Sequence, residues 1–232
     1  MTDINKNINS FYLEEDRRRE PKEYFKLIYK IIQNKQVWSS VCDVGCATGE
    51  FLEYIRECLD GKEVKLVGID NFDDLLDEAK RRLPDCEFIK GDIYTNSGIN
   101  GNMKYDVVTM SGVLSLFDDF ERPFQNLIDI THKGGMVLVF STYNANGCRV
   151  DVKYSMRGTE GRFVTFSKEE IGEWLKKKGY SFEFIPFKLG VSIPKNENDP
   201  HRSYTIPLAD GTNGVINGLD IWHDFYLLKI DV

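Results

Sequence analysis

The chain predicts a doubly wound α/β domain whose sheet is mostly parallel, with an antiparallel edge strand and a small β decoration. Three observations carry this. Short apolar runs end on or beside acidic residues, at Asp43, Asp70 and Asp92. A stretch with helical spacing of its apolar residues follows the first two of these runs and recurs ahead of the fifth strand. After Tyr143 that rhythm stops, and short strands punctuated by Gly and Arg take over.

The elements follow in order. Residues 1–13 are polar with a few apolar anchors, and a helix runs from Pro21 with Tyr24, Phe25, Ile28, Ile31 and Ile32 on one face. A first strand over 40–44 leads into a helix over 48–59. Lys65–Ile69 is a second buried strand, closed by Asp70. Asp73–Leu83 is a helix with Leu75, Leu76 and Ala79 inward and a basic end at Lys80, Arg81 and Arg82, which suits the helix dipole. Cys86–Ile89 is a third strand and Tyr105–Met110 a fourth. Glu121–Thr131 is a helix with Pro123 tolerated in its first turn, and Gly134-Gly135 its stop. Met136–Ser141 is the fifth strand.

The decoration begins with paired strands across Val150–Phe166. Ser167 then caps a helix with Glu170 at the capping-box position, and Gly179 ends it. Ser181–Phe187 is a sixth strand. Ile221–Ile230 is the last, antiparallel at the edge, and the roughly 30 residues before it are a loop too long to be a mere connection. One domain over 1–232 is expected: a lid and helix at 1–37, a core at 38–142, and substrate-facing insertions at 143–220.

Composition excludes several classes. With 30 Lys and Arg against 37 Asp and Glu, the net charge of -7 does not suit a binder that neutralises phosphates of nucleic acid. Five cysteines, Cys42, Cys46, Cys58, Cys86 and Cys148, are odd in number and form no C-x-x-C pair, which reads as reduced thiols. The first residues lack a basic-then-apolar signal pattern, and no apolar run approaches about 18 residues. A cytoplasmic protein is expected.

The segment V-C-D-V-G-C-A-T-G-E-F-L, residues 41–52, is the most informative. A strand enters a bend of small residues and leaves as a helix, so backbone must approach a ligand closely. A dinucleotide fingerprint needs glycine where Glu50 stands, and a carboxylate in that first turn repels a pyrophosphate. A phosphate-binding P-loop is excluded because no Lys-Ser or Lys-Thr follows Gly49.

At Asp43, Gly45 and Gly49 the segment resembles the D-x-G-x-G-x-G motif of the class I S-adenosylmethionine-dependent methyltransferases, departing from it at Ala47. Asp70, Asp92 and the Ser111-Gly112 turn follow at the ends of later strands, in the order that superfamily shows. The resemblance covers residues 38–142 and implies a Rossmann-like sheet with S-adenosyl-L-methionine as cofactor. By position, Gly45, Cys46, Ala47 and Gly49 would wrap the methionine end, Asp70 the ribose, and Asp92 with Ile93 the adenine, with Asp43, Thr48 and Asn71 as further cofactor-binding candidates. Ser111 and Gly112 would face the methionine portion, with Tyr12 lining the site from the lid. The Asn/Asp-Pro-Pro-Tyr motif of amino-methyltransferases that act on DNA adenine or protein glutamine is absent after the fourth strand, so those acceptors are not expected.

For a hydroxyl acceptor the transfer needs alignment and a base. His201 and His223 are the candidate bases, His223 with Asp224 beside it as an orienting group, and Tyr143 is a further candidate for the site. His132, at a helix C-terminus, reads as structural. Arg149, Lys153, Arg157 and Arg162 make the decoration basic, and with Arg202 they are the candidate grip for a phosphorylated or nucleotide-linked acceptor; a solvated hairpin face is the equal alternative. Asp118-Asp119 reads as helix capping, and no metal is expected.

The segment S-Y-T-I-P-L-A-D-G, with the N-G and aromatic strand after it, resembles the C-terminal pattern of bacterial methyltransferases linked to surface-polysaccharide synthesis. That resemblance implies a sugar hydroxyl as acceptor. An N-methyltransferase on a small amine, an NAD(P)-dependent oxidoreductase and a non-catalytic cofactor-binding protein remain as alternatives. The expected partner is a small molecule, with neither nucleic acid nor membrane insertion, and homodimerisation is left open.

Overall fold

The computed structural model describes residues 21–99, 102–156, 159–197 and 202–232. Five strands form the parallel heart of the sheet: β1 (Ser40–Val44), β2 (Lys65–Asp70), β3 (Glu87–Lys90), β4 (Tyr105–Ser111) and β5 (Thr131–Asn144). A hairpin of β6 (Val150–Met156) and β7 (Thr159–Ser167) returns to β5, where Tyr143 pairs with Phe166 and Asn144 with Ser167. Then come β8 (Ser181–Pro186), a separate antiparallel pair β9 (Ser203–Pro207) and β10 (Asn213–Asn217), and β11 (Phe225–Asp231). The main path runs β3-β2-β1-β4-β5-β11-β8.

Two expectations change here. The antiparallel strand is β11, but it lies inside the edge, bonded to β5 on one side and β8 on the other. The long late loop contains the β9–β10 pair, which closes through Asp210: its Oδ1 accepts from the Thr212 amide at 2.9 Å and from the Thr212 hydroxyl at 2.6 Å.

Helices cover both faces because strand residues alternate. On one face Val41, Val107, Leu138 and Phe140 pack with α1 (Glu23–Gln33) and α2 (Glu50–Cys58) through Phe25, Ile28, Ile32, Phe51, Leu52 and Ile55. On the other, Cys42, Val44, Val108, Met110, Val137 and Val139 pack with α4 (Glu121–Asp129) and α5 (Lys168–Lys178). Between these helices in the chain, α3 (Asp73–Arg82) buries Leu75, Leu76 and Ala79. The expected cap on α5 is present: Ser167 Oγ accepts from the Glu170 amide at 3.3 Å, and Gly179 ends the helix in the left-handed conformation. Among the described residues no helix is long and apolar enough to cross a membrane.

The strand order reverses between β1 and β4, so a crevice opens at their carboxyl ends. Loops that leave the ends of β1, β2, β3 and β4 reach it, and the start of α1 closes it from the other side.

Candidate functional site

A cleft lies in that crevice. Of the residues expected around a cofactor, Asp43, Gly45, Cys46, Ala47, Asp70, Asn71, Asp92, Ile93, Ser111 and Gly112 all line it. The bend after β1 and the ends of β2, β3 and β4 thus share one rim.

The bend is held by the neighbouring strand. The amides of Gly45 and Cys46 both donate to the Ile69 carbonyl, at 2.8 and 3.2 Å, and the Ala47 amide donates to Asp70 Oδ2 at 2.9 Å. Gly45, Ala47 and Gly49 all have positive φ, at 73, 47 and 82°. For Ala47 this conformation costs about 1 kcal/mol, and the bond to Asp70 holds it there. A Cβ on Gly45 would overlap Val113 Cγ2, so the first glycine is fixed by space as well as by φ. Thr48 and Gly49 are not on the lining. The Thr48 hydroxyl accepts from Arg82 at 3.1 Å, and a Cβ on Gly49 would meet Leu83 Cδ1 at 2.8 Å; both shape the bend from behind.

The carboxylates are bonded, and two of them, Asp43 and Asp70, are buried. Asp43, 5% exposed, accepts 2.7 Å from Thr109 Oγ1. Burial pushes its carboxyl up to about 7, with the Thr109 bond and Lys22 opposing and Asp70 and Glu50 adding to the rise. Asp70, 8% exposed, also accepts from the Phe72 amide at 3.2 Å; burial raises it while bonds from Ala47, Phe72 and Asn71 pull back. Asp92 Oδ1 accepts from the Tyr94 and Thr95 amides at 2.8 and 3.2 Å.

Sequence reasoning missed several lining groups. Lys22 and Glu50 form an ion pair at 3.1 Å within the lining, and Tyr24, Phe72, Leu116 and Phe117 supply apolar wall. A pair 28 residues apart leaves no local signal. Phe72 alone lies beside a readable position, two residues after Asp70.

The donor set fits S-adenosylmethionine. Among the described residues, Asp43, Glu50, Asp70 and Asp92 share the lining with one lysine, Lys22, which is paired with Glu50. Such a cleft suits a ligand with cationic sulfonium and ammonium centres and repels a pyrophosphate, which weighs against the nicotinamide alternative. Asp70 can take the ribose hydroxyls, and the bend's close backbone the methionine end.

Other expected residues fare differently. Tyr143 is corrected: it is 1% exposed, its hydroxyl donates to the Val139 carbonyl at 3.2 Å, and Phe184 and Tyr226 pack on its ring, so it is a core residue. His223 is buried between Phe163 and Phe225, and burial lowers it to about 4. Asp224 does not orient it, since Asp224 Oδ1 accepts from Trp222 Nε1 at 3.0 Å. Arg162 forks onto Asp151, with Nε 2.6 Å from Oδ1, and also reaches Asp118. Arg149 donates to the Asp118 carbonyl at 2.7 Å. These two guanidiniums are thus taken up by acidic partners within the chain, which favours the hairpin-face reading of them. Asp119 accepts from the Arg122 amide at 3.1 Å, the capping expected of it. Arg202 is exposed just ahead of β9, while Tyr12, Arg157 and His201 lie outside the described residues.

Known proteins share this architecture. The methyltransferase-domain family matches residues 13–183. A curated relative, the carboxy-S-adenosyl-L-methionine synthase of Trichodesmium erythraeum, is 47% identical over 168 residues, covering 61% of this chain and 65% of the relative. The chain therefore spans just under two thirds of that relative's length. An S-adenosylmethionine-dependent methyltransferase from Clostridium acetobutylicum superposes with a TM-score of 0.59 at 14% identity, covering 98% of each chain. The glycopeptide N-methyltransferase MtfA, solved with (S)-adenosyl-L-methionine, gives 0.53 at 12% identity over 89% of this chain and 92% of its own. At such identities the likeness is one of fold.

Proposed function

The chain belongs to the methyltransferase-domain family, and from that premise we propose that it transfers a methyl group from S-adenosylmethionine to a small-molecule acceptor. The cofactor is S-adenosylmethionine, which when bound supplies an activated methyl on a sulfonium. One observation carries the reading: carboxylates from the ends of β1, β2 and β3 meet a glycine-lined bend around a single cleft.

Each residue then has a part. Asp70 accepts the ribose hydroxyls while keeping its bond from the Ala47 amide. Asp43, Glu50 and Lys22 read the zwitterionic methionine end, the carboxylates facing the ammonium and the lysine facing the carboxylate. Phe72 and Phe117 give the adenine apolar walls beside Asp92 and Ile93. The chain's contribution to rate is alignment and exclusion of water, since a sulfonium needs little further activation.

The finer reading is a hydroxyl of a sugar, phosphorylated or nucleotide-linked, as acceptor in surface-polysaccharide synthesis. It is supported by the C-terminal segment over 203–231. Calorimetry with S-adenosylmethionine and S-adenosylhomocysteine tests the core: dissociation constants in the micromolar range are expected, and no binding below 1 mM removes the reading.

A second reading has one observation behind it, the 47% match to the carboxy-S-adenosyl-L-methionine synthase. In that case the cofactor itself is the substrate, and a second compound must donate a carboxyl group. Mass spectrometry of the nucleoside products separates the two: S-adenosylhomocysteine with a methylated acceptor, or a carboxylated cofactor.

A further inference from the structure

Outside the cofactor cleft, two buried polar groups stand together on the same rim. The Thr142 hydroxyl and both ring nitrogens of His223 have no hydrogen-bond partner among the described residues, and the residues are only 3% and 7% exposed. A bare buried nitrogen destabilises a fold in a way that a phenyl ring at the same place does not. Such groups call for an explanation.

Their placement supplies one. Thr142 of β5 pairs directly with Phe225, the first residue of β11, and the Tyr143 amide donates to the Asp224 carbonyl at 3.1 Å; His223, just outside that strand, stacks on Phe225 at 5.4 Å, which sets it diagonally from Thr142. Diagonal neighbours of this kind lie about 7 Å apart, close enough for one small ligand to touch both. Thr142 shares its face with Phe140, two residues before it. Phe140 stacks on Phe225 at 5.2 Å and on Tyr24 at 4.3 Å, and Tyr24 lines the cofactor cleft. The Phe140 carbonyl also accepts from the Gly112 amide at 2.9 Å, tying the same strand position to the cleft's wall. An aromatic stack thus joins the cleft to the orphaned pair. Trp222 and Asp224, on either side of His223, are exposed, so the imidazole lies one residue beneath the surface.

We propose that Thr142 and His223 bind the acceptor, and that they select an uncharged, hydroxyl-bearing ring compound. This rests on the methyltransferase reading, keeps a hydroxyl-bearing acceptor, and sets aside its phosphorylated or nucleotide-linked form. A neutral imidazole offers one donor and one acceptor, and a threonine hydroxyl offers both; a ligand hydroxyl, itself donor and acceptor, completes each of them. A phosphate accepts only, and it would find no cation in this pair. Phe163 and Phe225 pack on the imidazole at 5.5 and 5.4 Å, so a ring compound that reaches His223 meets an apolar surround. His223 is then an acceptor-positioning residue.

The test uses protein saturated with S-adenosylhomocysteine and labelled with carbon-13 at the histidine rings, with the His223 signal assigned through His223→Gln. The probes are methyl glycosides of glucose, galactose, mannose and rhamnose, and glucose 6-phosphate. At millimolar concentration at least one uncharged glycoside is expected to shift the His223 signal. Thr142→Val should weaken that binding at least fivefold while leaving S-adenosylhomocysteine affinity unchanged. Glucose 6-phosphate should bind no more tightly than the glycosides. His223→Phe should raise the melting temperature by roughly a few degrees, because it removes two unpaired nitrogens, and should abolish the glycoside response.

A still His223 signal across the whole panel, an unaffected Thr142→Val, tighter binding of the phosphate, or a lower melting temperature for His223→Phe would each overturn the proposal. Failure of S-adenosylhomocysteine to bind at all would instead remove the methyltransferase reading beneath it.

Discussion

At the β1–β2 end of the rim, each lining carboxylate of Asp43, Asp70 and Asp92 accepts a hydrogen bond from the chain. At the β5–β11 end, the Thr142 hydroxyl and the His223 ring nitrogens are buried without one among the described residues. The first region is complete before any ligand arrives: its backbone bonds fix both the bend and the carboxylates that read the cofactor. The second is complete only when something else supplies the missing partners. A preorganised half and an unfinished half fit an enzyme that holds one ligand common to its family and another particular to itself.

The sharpest way to break this contrast is at Gly45. Gly45→Ala places a Cβ into Val113 at a φ that alanine avoids, so the bend must move away from Asp70. Affinity for S-adenosylhomocysteine is expected to fall at least about a hundredfold, the equivalent of roughly 3 kcal/mol, as read by calorimetry. Retained affinity would show that the bend is not the ligand's cradle.

The pH response of Asp43 tests the same end of the rim through stability as well as binding. Its folded carboxyl titrates at about 7 against an ordinary 3.8, so the native state keeps a proton that the unfolded chain gives up. The stability tied to that proton is fully present below pH 4 and is lost as pH rises through about 7. It amounts to on the order of 4 kcal/mol. Melting temperature of the ligand-free protein should therefore decline across this window, and Asp43→Asn should flatten the decline. Binding of a cationic amine favours the ionised carboxylate, so affinity for S-adenosylhomocysteine should climb over the same range. A flat profile in both measurements would remove Asp43 from the site.

Asp70→Asn keeps the shape of the side chain and removes its charge. The ribose hydroxyls lose a charge-assisted acceptor worth about 1.5–3 kcal/mol. A ten- to hundredfold weakening of S-adenosylhomocysteine is expected, with no matching change in response to uncharged glycosides. Equal losses for both ligands would mean that the two regions are one.

These two regions were not equally legible. The cofactor end could be read because each of its residues lies in a local pattern, where an apolar run meets a small bend or an acid closes a strand. Asp43, Gly45, Asp70 and Asp92 needed no knowledge of partners. The β5–β11 end depends on pairing across about 85 residues, and that is where the expectations strayed. Tyr143 is expected just past the end of β5, but pairing of Tyr143 and Asn144 with Phe166 and Ser167 of β7 carries the strand on to Asn144, and Tyr143 lies in the core. Asp224 was expected to orient His223 from the adjacent position. In extended chain adjacent side chains point to opposite faces, and Asp224 meets Trp222, two residues back, instead. The edge assignment for β11 strayed for the same reason: nothing in Ile221–Ile230 marks that β8 will pair outside it. Thr142 carried no motif at all.

The smallest predicted effect bears on the alternative in which the decoration grips an anionic acceptor. The Arg162 guanidinium is shared between Asp151 and Asp118, and Arg149 lies 3.7 Å from Asp151. A pair at a partly exposed hairpin contributes no more than about 1 kcal/mol, so Arg162→Met should lower the melting temperature only slightly. With its charge already balanced by two carboxylates, Arg162 has little attraction left for a distant phosphate. The Michaelis constant for an uncharged acceptor should stay within about twofold, well under the tenfold that 1.4 kcal/mol represents. If Arg162 instead releases its carboxylates to clamp a phosphorylated acceptor, the variant's Michaelis constant for that acceptor should rise more than tenfold, and should do so less at high salt, where the charge attraction is already screened. That outcome would place a charged acceptor at the β6–β7 hairpin and leave Thr142 and His223 to be explained by something other than an acceptor.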